Sequence, residues 1–413
     1  MAEQVKVIII GGGIVGCAVQ FALAKRGWTD SLLLEKGELT SGSTWHAAGN
    51  TTHFGHDPAI TRLYVSSVDT YLDAQNLTGQ DVGFHQTGSL RLATSETELE
   101  AYERLTPLYE AMDVPYRIVD AETVATLNPL VQADGILGAA HTPADGHVDP
   151  FSATHALAAA SRDMGAMIMR NNPVRQIRMT DTGRWAVHTD DRIFEAEHLV
   201  MAASFWSREL LLPLGIDLPI YAMEHHEIVT DEIPLLRKLG REVPAIRDSR
   251  APSNVRQEQF GLLCGIYERH PKPWSVDGIP PSFGQELLPP DIERLEDHML
   301  KVVERMPAFG EVGLKAVNNG PLAFPPDGCP LVGPMTGHPG LWLAAGFPVG
   351  IGTGGGAAQY LAEFITRGAP DTFIPAIDPN RFAPGMIKSE ALNVMCQTYA
   401  AGYSLPERTL QPA

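Results

Sequence analysis

The stretch from Val5 to Asn50 reads VKVIIIGGGIVGCAVQFALAKRGWTDSLLLEKGELTSGSTWHAAGN, and it decides the fold. It opens with an apolar, β-branched run that is long enough for a buried parallel strand. Gly11, Gly13 and Gly16 follow in the spacing G-x-G-x-x-G, and an apolar stretch with helical spacing leads to a second strand that ends at Glu35. This order predicts a dinucleotide-binding unit, and the alternative is a tight turn without a ligand.

Each part of this unit has a physical role. Gly11 allows the tight turn, Gly13 lets a pyrophosphate approach the backbone, and Gly16 lets the helix pack closely on the strand. The helix N-terminus faces the phosphates, and Glu35 can accept a hydrogen bond from a ribose 2′-hydroxyl. Because a carboxylate repels a 2′-phosphate, the unit disfavours NADP.

A run of small residues around one Trp and one His, Ser41 to Gly49, follows the acid. Small residues suit a backbone that wraps tightly around a flat ring system. Its GSTWHAAG, with the later GFHQTGSLRLAT, DGHVDP and NGPLAFPPDGCPLVGP, resembles the flavin domain of the dimethylglycine and sarcosine dehydrogenases. These belong to the D-amino-acid-oxidase-like superfamily, and the resemblance runs from about Val5 to Phe382.

The resemblance implies a two-lobed α/β (α+β) fold of the D-amino-acid-oxidase-like type, and the chain length also favours two lobes. A Rossmann-type FAD-binding lobe is interleaved with a substrate lobe built on an antiparallel sheet. We expect residues 1–50, 140–215 and 325–385 in the FAD-binding lobe and residues 51–139 and 216–324 in the substrate lobe. Residues 386–413 are expected to form a C-terminal tail on the surface.

FAD is the cofactor that the resemblance implies, and His46 is its implied covalent tether through the flavin 8α position. The alternative for His46 is an ordinary His that packs or hydrogen-bonds near the cofactor. Monomeric sarcosine oxidases use a Cys tether instead, and Gly320 stands at that position here. The resemblance also places Val174 on the adenine side and Trp206 against the cofactor, although Trp206 could equally be a core residue.

A second glycine-rich junction spans Gly346 to Gly356, between a strand over 341–345 and a helix expected over 357–365. In the superfamily the positive end of this helix lies near the flavin pyrimidine. The full set of expected cofactor-binding residues is Gly11, Gly13, Ile14, Val15, Gly16, Glu35, Lys36, Gly42, Ser43, Thr44, Trp45, His46, Ala47, Ala48, Gly49, Asn50, Val174, Trp206, Val349, Gly350, Ile351, Gly352, Thr353 and Gly354.

His225 and His226 are adjacent on a strand expected over 218–230, so their side chains point to opposite faces. The resemblance places an active-site His at His225, on the sheet above the flavin, and we expect His226 to face outward. The alternative for His225 is a buried His held by hydrogen bonds.

Relatives have two tyrosines at positions that Ser253 and Asn254 occupy here, and one of those tyrosines assists the His. A lost phenol removes a hydrogen-bond donor and a wall of the pocket, so the substrate is expected to differ while the reaction type survives. Arg256 and Tyr267 remain as candidate catalytic residues, with Arg256 the candidate partner of a substrate carboxylate. Arg91 could also face a carboxylate, although a surface or ion-paired Arg is favoured.

Composition argues against several kinds of partner. The 413 residues include 31 Lys and Arg against 49 Asp and Glu, a formal charge of −18, which disfavours nucleic acid and anionic membranes. The four cysteines lack metal-binding spacing, and a turn ending in a helix N-cap explains the acids and His of DGHVDP, so no metal is expected. Without a signal peptide or a bilayer-spanning run, we expect a soluble cytoplasmic enzyme.

The resemblance implies FAD-dependent oxidative demethylation of an N-methylated amino acid or a related secondary or tertiary amine. Hydride transfer to flavin N5 gives an iminium that yields formaldehyde and the demethylated amine, and the electrons pass to oxygen or to an electron-transfer flavoprotein. Close relatives continue into a folate-binding aminomethyltransferase domain, so a separate transferase subunit, formaldehyde release or a truncated sequence is expected. The alternatives are an amine or amino-acid oxidase without demethylation and a flavoprotein subunit of a larger complex.

Overall fold

The computed structural model describes residues 2–280, 282–382 and 386–403. Its strands alternate with helices over the first third of the chain and then cluster in the middle. In chain order the strands are β1 (Glu3–Ile10), β2 (Ser31–Leu34), β3 (Asn50–Thr51), β4 (Ser89–Ala93), β5 (Arg117–Val119), β6 (Gly138–Thr142), β7 (Gly146–His147), β8 (Met167–Met169), β9 (Gln176–Met179), β10 (Trp185–His188), β11 (Ile193–Met201), β12 (Tyr221–Thr230), β13 (Ala245–Asp248), β14 (Ser253–Glu258), β15 (Gly261–Ile266), β16 (Pro273–Trp274), β17 (Leu314–Phe324), β18 (Leu331–Pro334) and β19 (Leu341–Ala345).

The helices differ widely in length, and the longest ones belong to the first lobe. In chain order they are α1 (Ile14–Lys25), α2 (Pro58–Thr78), α3 (Glu96–Glu103), α4 (Thr106–Ala111), α5 (Ala121–Leu127), α6 (Pro150–Asp163), α7 (Trp206–Leu211), α8 (Pro234–Leu239), α9 (Glu296–Arg305), α10 (Gly350–Arg367) and α11 (Lys388–Ala401). Short 3-10 helices cover Leu212–Leu214, Glu293–Leu295, Pro307–Phe309 and Pro375–Ile377. Among the described residues, no helix combines the length and the apolar character needed to cross a bilayer.

The first sheet has the strand order β18-β19-β11-β1-β2-β8, and β9 and β10 extend it as a meander from β11. β1 runs parallel to both of its neighbours, β11 and β2. Val7, Ile8 and Ile9 have no exposed surface, because a central parallel strand is covered on both faces. The predicted strand, glycine turn, helix and strand are confirmed.

Helices α1, α2, α6 and α10 share one buried core on this sheet. Gly355 and Gly356 of α10 face the backbone of α2: a Cβ at Gly355 would lie 2.8 Å from Cα of Ser67, and one at Gly356 would collide with the carbonyl of Leu63. The helix expected over 357–365 in fact begins at Gly350. The glycines lie inside the helix because only residues without a Cβ let the two helices approach so closely.

The second sheet has the strand order β16-β12-β15-β14-β13-β4-β6-β5, and β17 pairs with the other edge of β12. Its pairs are antiparallel except for β13 and β4, which run parallel. A separate apolar core lies against this sheet and includes Val255, Ile266 and Val302. The two-lobed α/β fold expected from the sequence is therefore confirmed.

Two helices depart from the expected division into segments. α2 lies in a segment expected in the substrate lobe, yet its Leu63 and Tyr71 are buried in the core of the first lobe. α11 occupies part of the expected surface tail, but its Met395 and Tyr399 are fully buried against residues of β12 and β17. The weak periodicity of this segment conceals a helix whose apolar partners lie elsewhere in the chain. The end of the expected tail, residues 404–413, lies outside the described residues.

Candidate active site

A cavity of about 550 Å³ takes its lining from residues of both sheets. The first lobe contributes the loops that follow β1 and β2 and the N-terminal turns of α1 and α10. The second lobe contributes residues of β12, β13, β14, β15 and β17. A concave site at the carboxyl ends of parallel strands, with titratable groups at its far side, is where a ligand is expected to bind.

The glycine turn after β1 has a geometry that requires glycine. Gly11 has a φ of +113°, and a Cβ there would collide with the carbonyl oxygen of Ala202. A Cβ at Gly16 would collide with the carbonyl oxygen of Gly11, so the start of α1 is pressed against the end of β1. Gly13 is the N-cap of α1 and lines the cavity. The positive end of α1 thus borders the cavity, as a phosphate site requires.

Glu35 lies at the end of β2 and borders the same part of the cavity. Its carboxylate accepts hydrogen bonds from the backbone amides of Gly12 at 2.7 Å and Gly37 at 2.8 Å. These bonds fix the carboxylate and leave acceptor positions for a ribose hydroxyl. The neighbouring Lys36 places its Nζ 3.8 Å from the centroid of the Trp206 ring, which also lines the cavity.

His46 borders the cavity beside β17. A Cβ at Gly320 would collide with the imidazole ring of His46, so these two positions compete for one space. Burial lowers the pKa of His46 to about 4, so the ring is neutral at neutral pH. A neutral imidazole has an electron pair available for bonding to carbon or for accepting a hydrogen bond.

The N-terminal residues of α10 divide into two groups. The range Val349 to Ile351 lines the cavity, and no side chain caps this helix end. The range Gly352 to Gly354 lies behind that lining. There Thr353 Oγ1 donates to the carbonyl oxygen of Val349 at 2.8 Å, and a Cβ at Gly354 would lie 3.1 Å from the side chain of Val15. The cavity therefore has two helix N-termini at its edge.

The other predicted cofactor-binding residues are also divided. Trp45 and Gly16 do not line the cavity, and Trp45 contacts the ring of His46 edge-on at 5.6 Å between centroids. The predicted residues that do line it, besides those already described, are Ile14, Val15, Gly42, Ser43, Thr44, Ala47, Ala48, Gly49, Asn50 and Val174. The glycine turn, the two helix ends and this small-residue wall fit a dinucleotide whose flat ring system reaches His46.

His225 faces the cavity from β12 and is linked to α11. Its Nδ1 lies 2.8 Å from the hydroxyl of Tyr399, and that hydroxyl lies 3.0 Å from Oε2 of Glu268. The ring of Tyr267, another predicted residue, packs 4.8 Å from the His225 ring and lines the cavity. Burial lowers the pKa of His225 to about 3, so this imidazole is also neutral.

His226 points to the opposite face of β12, as strand alternation predicts, but it has no exposed surface. Its Nε2 accepts a hydrogen bond from the backbone amide of Asp291 at 3.1 Å, and its Nδ1 lies 3.4 Å from the guanidinium of Arg294. The expectation that His226 faces outward is wrong because the segment before α9 covers that face of the sheet.

Glu227 lines the cavity two residues after His225 and was not among the residues expected from the sequence. Burial raises the pKa of its carboxyl group to about 7. Residues two apart on a strand share a face, so the position of His225 was itself the signal that could have found Glu227. A buried carboxyl group with a pKa near neutrality is a candidate for proton transfer or for binding a cation.

Arg256 is not brought to the cavity lining. Its Nε donates to the carbonyl oxygen of Ala48 at 2.9 Å, its Nη1 donates to that of Gln257 at 2.8 Å, and it pairs with Glu258 at 2.7 Å. These contacts occupy its Nε and Nη1 donors, and Glu258 balances its charge. The cationic residues that do line the substrate lobe's side of the cavity are Arg91 and Arg247, and the second was not found from the sequence.

A cluster of possible metal ligands lies outside the cavity lining. His85 Nδ1 lies 3.0 Å from Glu242 Oε2, and the His85 and His147 rings stack with centroids 4.9 Å apart. The ligand atoms of the three side chains lie within 4.8 Å of one another. The hydrogen bond and the stacked rings explain the cluster, so the expectation of no metal stays a prediction.

The chain resembles characterised enzymes over most of its length. Residues 6–364 match the family described as FAD dependent oxidoreductase. Mitochondrial dimethylglycine dehydrogenase of Mus musculus is 38% identical over 385 residues, which are 92% of this chain and 44% of that protein. The 4-methylaminobutanoate oxidase (formaldehyde-forming) of Paenarthrobacter nicotinovorans is 31% identical, covering 93% of this chain and 46% of that protein. This chain thus spans less than half the length of these curated relatives.

Solved structures give the same fold. The crystal structure of L-proline dehydrogenase from P. horikoshii has a TM-score of 0.80 and 25% identity, covering 92% of this chain and 98% of that one. The D-amino-acid-oxidase-like architecture expected from the sequence is therefore confirmed. Together with the family match over 6–364, it shows that the chain belongs to the family of FAD-dependent oxidoreductases.

Proposed function

We propose that this chain catalyses FAD-dependent oxidative demethylation of an N-methylated amino acid or a related secondary or tertiary amine. The observation that carries the proposal is one cavity that joins the glycine turn after β1 to His46, His225 and Glu227. A nucleotide site, two uncharged imidazoles and a carboxyl group with a pKa near 7 thus share one space. The names of the relatives, which refer to dimethylglycine and 4-methylaminobutanoate, support an N-methylated amine as the substrate.

The first lobe would hold FAD along the cavity. The glycine turn and the N-terminus of α1 would bind the pyrophosphate, Glu35 a ribose hydroxyl, and Val349 to Ile351 the pyrimidine edge of the flavin. His46 would be the covalent tether. When bound, FAD supplies a two-electron oxidant for the N-methyl carbon, and water then converts the resulting iminium to formaldehyde and the shorter amine.

His225 would accept a hydrogen bond from the substrate amine and orient it, because its pKa of about 3 keeps the imidazole neutral and makes it too weak a base to hold the amine proton. The guanidinium of Arg294, 3.1 Å from Glu268, favours the ionised carboxylate, although burial raises the pKa of Glu268. An ionised Glu268 accepts from the Tyr399 hydroxyl, which then accepts from Nδ1–H of His225. This order leaves Nε2 with a free electron pair, and Nε2 lies beside Gly265, where no side chain blocks it.

Glu227 would stabilise positive charge at the substrate nitrogen. Its carboxyl group titrates near neutral pH, so an ionised fraction is available while the substrate is being oxidised. An opposite charge in a water-poor cavity is a strong interaction, which makes Glu227 a candidate to hold the amine or the iminium.

The proposal extends to partners. Electrons would leave to oxygen or to an electron-transfer flavoprotein, and a separate folate-binding transferase subunit could take up the one-carbon product. A cytoplasmic location remains part of the proposal, and the absence of a disulfide from the described part of the chain agrees with a reducing compartment.

The test is anaerobic mixing of the flavin-loaded protein with N-methylglycine, N,N-dimethylglycine, N-methylproline and 4-methylaminobutanoate. Loss of the oxidised-flavin absorbance together with formaldehyde release supports demethylation. Bleaching without formaldehyde favours an oxidase that does not demethylate, and no bleaching by any amine favours a flavoprotein subunit. His225→Gln should slow bleaching by roughly 100-fold or more, whereas His155→Gln, at a half-buried site on α6 outside the cavity lining, should not.

A further inference from the structure

Three polar side chains form a row across the second sheet. Arg247 of β13 is in register with Arg91 of β4 on one side and with Asn254 of β14 on the other. Residues in register on neighbouring strands share a face of the sheet. All three line the cavity, so the row faces the same space as His225 and Glu227.

The row is short of negative charge. Arg247 is 6% exposed, its Nη1 has no hydrogen-bond partner, and no ion pair joins it or Arg91 to a carboxylate within the described part of the chain. Arg91 Nε is also a buried donor without a partner, whereas the unpartnered atom of Asn254, Oδ1, is an acceptor that an anion cannot satisfy. Burying an unpaired guanidinium costs several kcal/mol, so this arrangement indicates a ligand that supplies the missing partner.

The nearby charges show how much anion the row can accept. Burial lowers the pKa of Arg247, and Asp145 is the carboxylate that opposes this shift, but its oxygens already accept from Thr52 Oγ1, Ser89 Oγ and the amide of His53. Two guanidinium groups and Asp145 leave one positive charge, and Glu227, which borders the same cavity, is left to pair with the substrate nitrogen. A ligand with a single negative group would balance that positive charge.

Arg91 has weak contacts in place of an ion pair. Its guanidinium lies 3.9 Å from the centroid of the Phe54 ring, and one nitrogen lies 3.5 Å from Thr52 Oγ1. An aromatic face orients a guanidinium without neutralising it. Tyr403, which follows α11, also lines the cavity, and its ring lies 5.7 Å from the guanidinium of Arg247.

We propose that Arg247 and Arg91 bind one carboxylate group of the substrate. The substrate class is then an N-methylated amino acid with a single carboxylate, in preference to a simple alkylamine or a dicarboxylate. The identity of the oxidised amine rests on the proposed function, whereas the anion site itself does not. Arg256, which the sequence suggested for this role, is committed to Ala48, Gln257 and Glu258.

Binding of acetate and butanoate, which cannot be oxidised as amines, tests the site in the flavin-loaded protein. Calorimetry and the shift of the flavin spectrum would give the affinity without turnover. Arg247→Gln should weaken binding roughly 10- to 100-fold, Arg247→Lys should weaken it less, and guanidinium ions should restore part of the affinity of Arg247→Gln. Arg208→Gln is the matched control, because Arg208 pairs with Asp217 away from the cavity.

The possible outcomes distinguish a failure of the anion site from a failure of the proposed demethylation. If Arg247→Gln binds acetate as tightly as wild type, or if only Arg256→Gln loses binding, the anion site is overturned. If the wild type binds acetate through Arg247 but no N-methylated amine bleaches its flavin, the anion site stands and the demethylation proposal fails. If Arg247→Gln does not fold, Arg247→Lys and Arg91→Gln carry the same comparison.

Discussion

At position 46 an imidazole fills the space that any side chain at position 320 would need. His46 and Gly320 are far apart in sequence, but the imidazole at position 46 can take this place only if position 320 is a glycine. A neutral imidazole beside a glycine can reach the cavity without a steric barrier. This residue pair therefore supports a tether through His46 and leaves position 320 without a competing nucleophile.

His46→Gln should abolish covalent flavin attachment while the protein still binds FAD. The glycine turn, Glu35 and the N-terminus of α10 remain to hold the cofactor in this variant. Acid precipitation checks the prediction: the wild-type pellet should stay yellow, and the His46→Gln pellet should be colourless. Gly320→Ala keeps the imidazole but displaces its ring, so it should lower the covalent fraction. A colourless wild-type pellet would contradict the tether.

Glu227→Gln should change how stability depends on pH. Because burial raises the pKa of Glu227 from 4.5 to about 7, the folded protein keeps a proton that the unfolded chain releases. The free energy of unfolding therefore falls as pH rises from 4.5 to about 7 and is level above that range. Gln cannot release a proton, so the stability of the variant should not fall over this range. Above neutral pH the variant should therefore stand about 3 kcal/mol higher relative to wild type than it does in acid.

Urea unfolding of wild type and Glu227→Gln on both sides of this pH range measures the effect. Glu103→Gln, at an exposed site on α3, is the control and should give a curve parallel to wild type. Parallel curves for Glu227→Gln as well would show that the carboxyl group ionises normally in the folded protein.

At the scale of elements, α11 brings a phenol to a His on a strand of the second sheet. Tyr399→Phe keeps the ring in its buried place and removes the bond to His225 Nδ1. The preferred tautomer of His225 is then no longer fixed, so kcat/KM should fall roughly 10- to 100-fold and its pH profile should shift.

Steady-state rates across pH, with the flavin spectrum as a check of loading, would measure this change. Tyr360→Phe is the matched control, since its hydroxyl accepts from the amide of Ile374 and does not face the cavity. An equal loss in both variants would indicate a general packing effect and would contradict a role for Tyr399 in fixing the tautomer of His225.

The contact of α10 with α2 gives a prediction about stability. Gly356→Ala would press a methyl group into the carbonyl of Leu63, and such overpacking costs about 1–3 kcal/mol. Gly350→Ala is the control, because its Cβ would lie 3.7 Å from the nearest atom, in Phe347. Thermal unfolding should show a clear loss for Gly356→Ala and little change for Gly350→Ala. Equal midpoints would mean that the two helices can separate at no cost.

At the scale of the whole molecule, the parts that could be predicted are those whose contacts are local. The unit β1-α1-β2 contains its own strand pairing, glycine turn and acidic residue within 35 residues, so the spacing of its residues was sufficient to predict its structure. Arg247 and Tyr399 carry no local signal, because their roles depend on partners that pair through the sheet or through α11. Arg256 has the right residue type beside Asn254, but only the fold shows that Ala48 takes its donor.

Each lobe has its own apolar core, and the cavity is lined by both. FAD in this cavity would contact the glycine turn of one lobe and the residues around Gly320 and His225 of the other. Binding should therefore couple the lobes, because a ligand that binds only the folded state of both stabilises both. A further apolar core, which includes Val5 and Ile8 of the first sheet and Ala222 and Ala323 of the second, already joins the lobes. Once its flavin is removed, His46→Gln should therefore unfold in one calorimetric transition at a lower temperature, and added FAD should raise that temperature. FMN lacks the adenosine half and cannot span the cavity to Glu35, so it should raise the temperature less. An unfolding temperature that does not respond to FAD would show that the cofactor does not bind across the lobes.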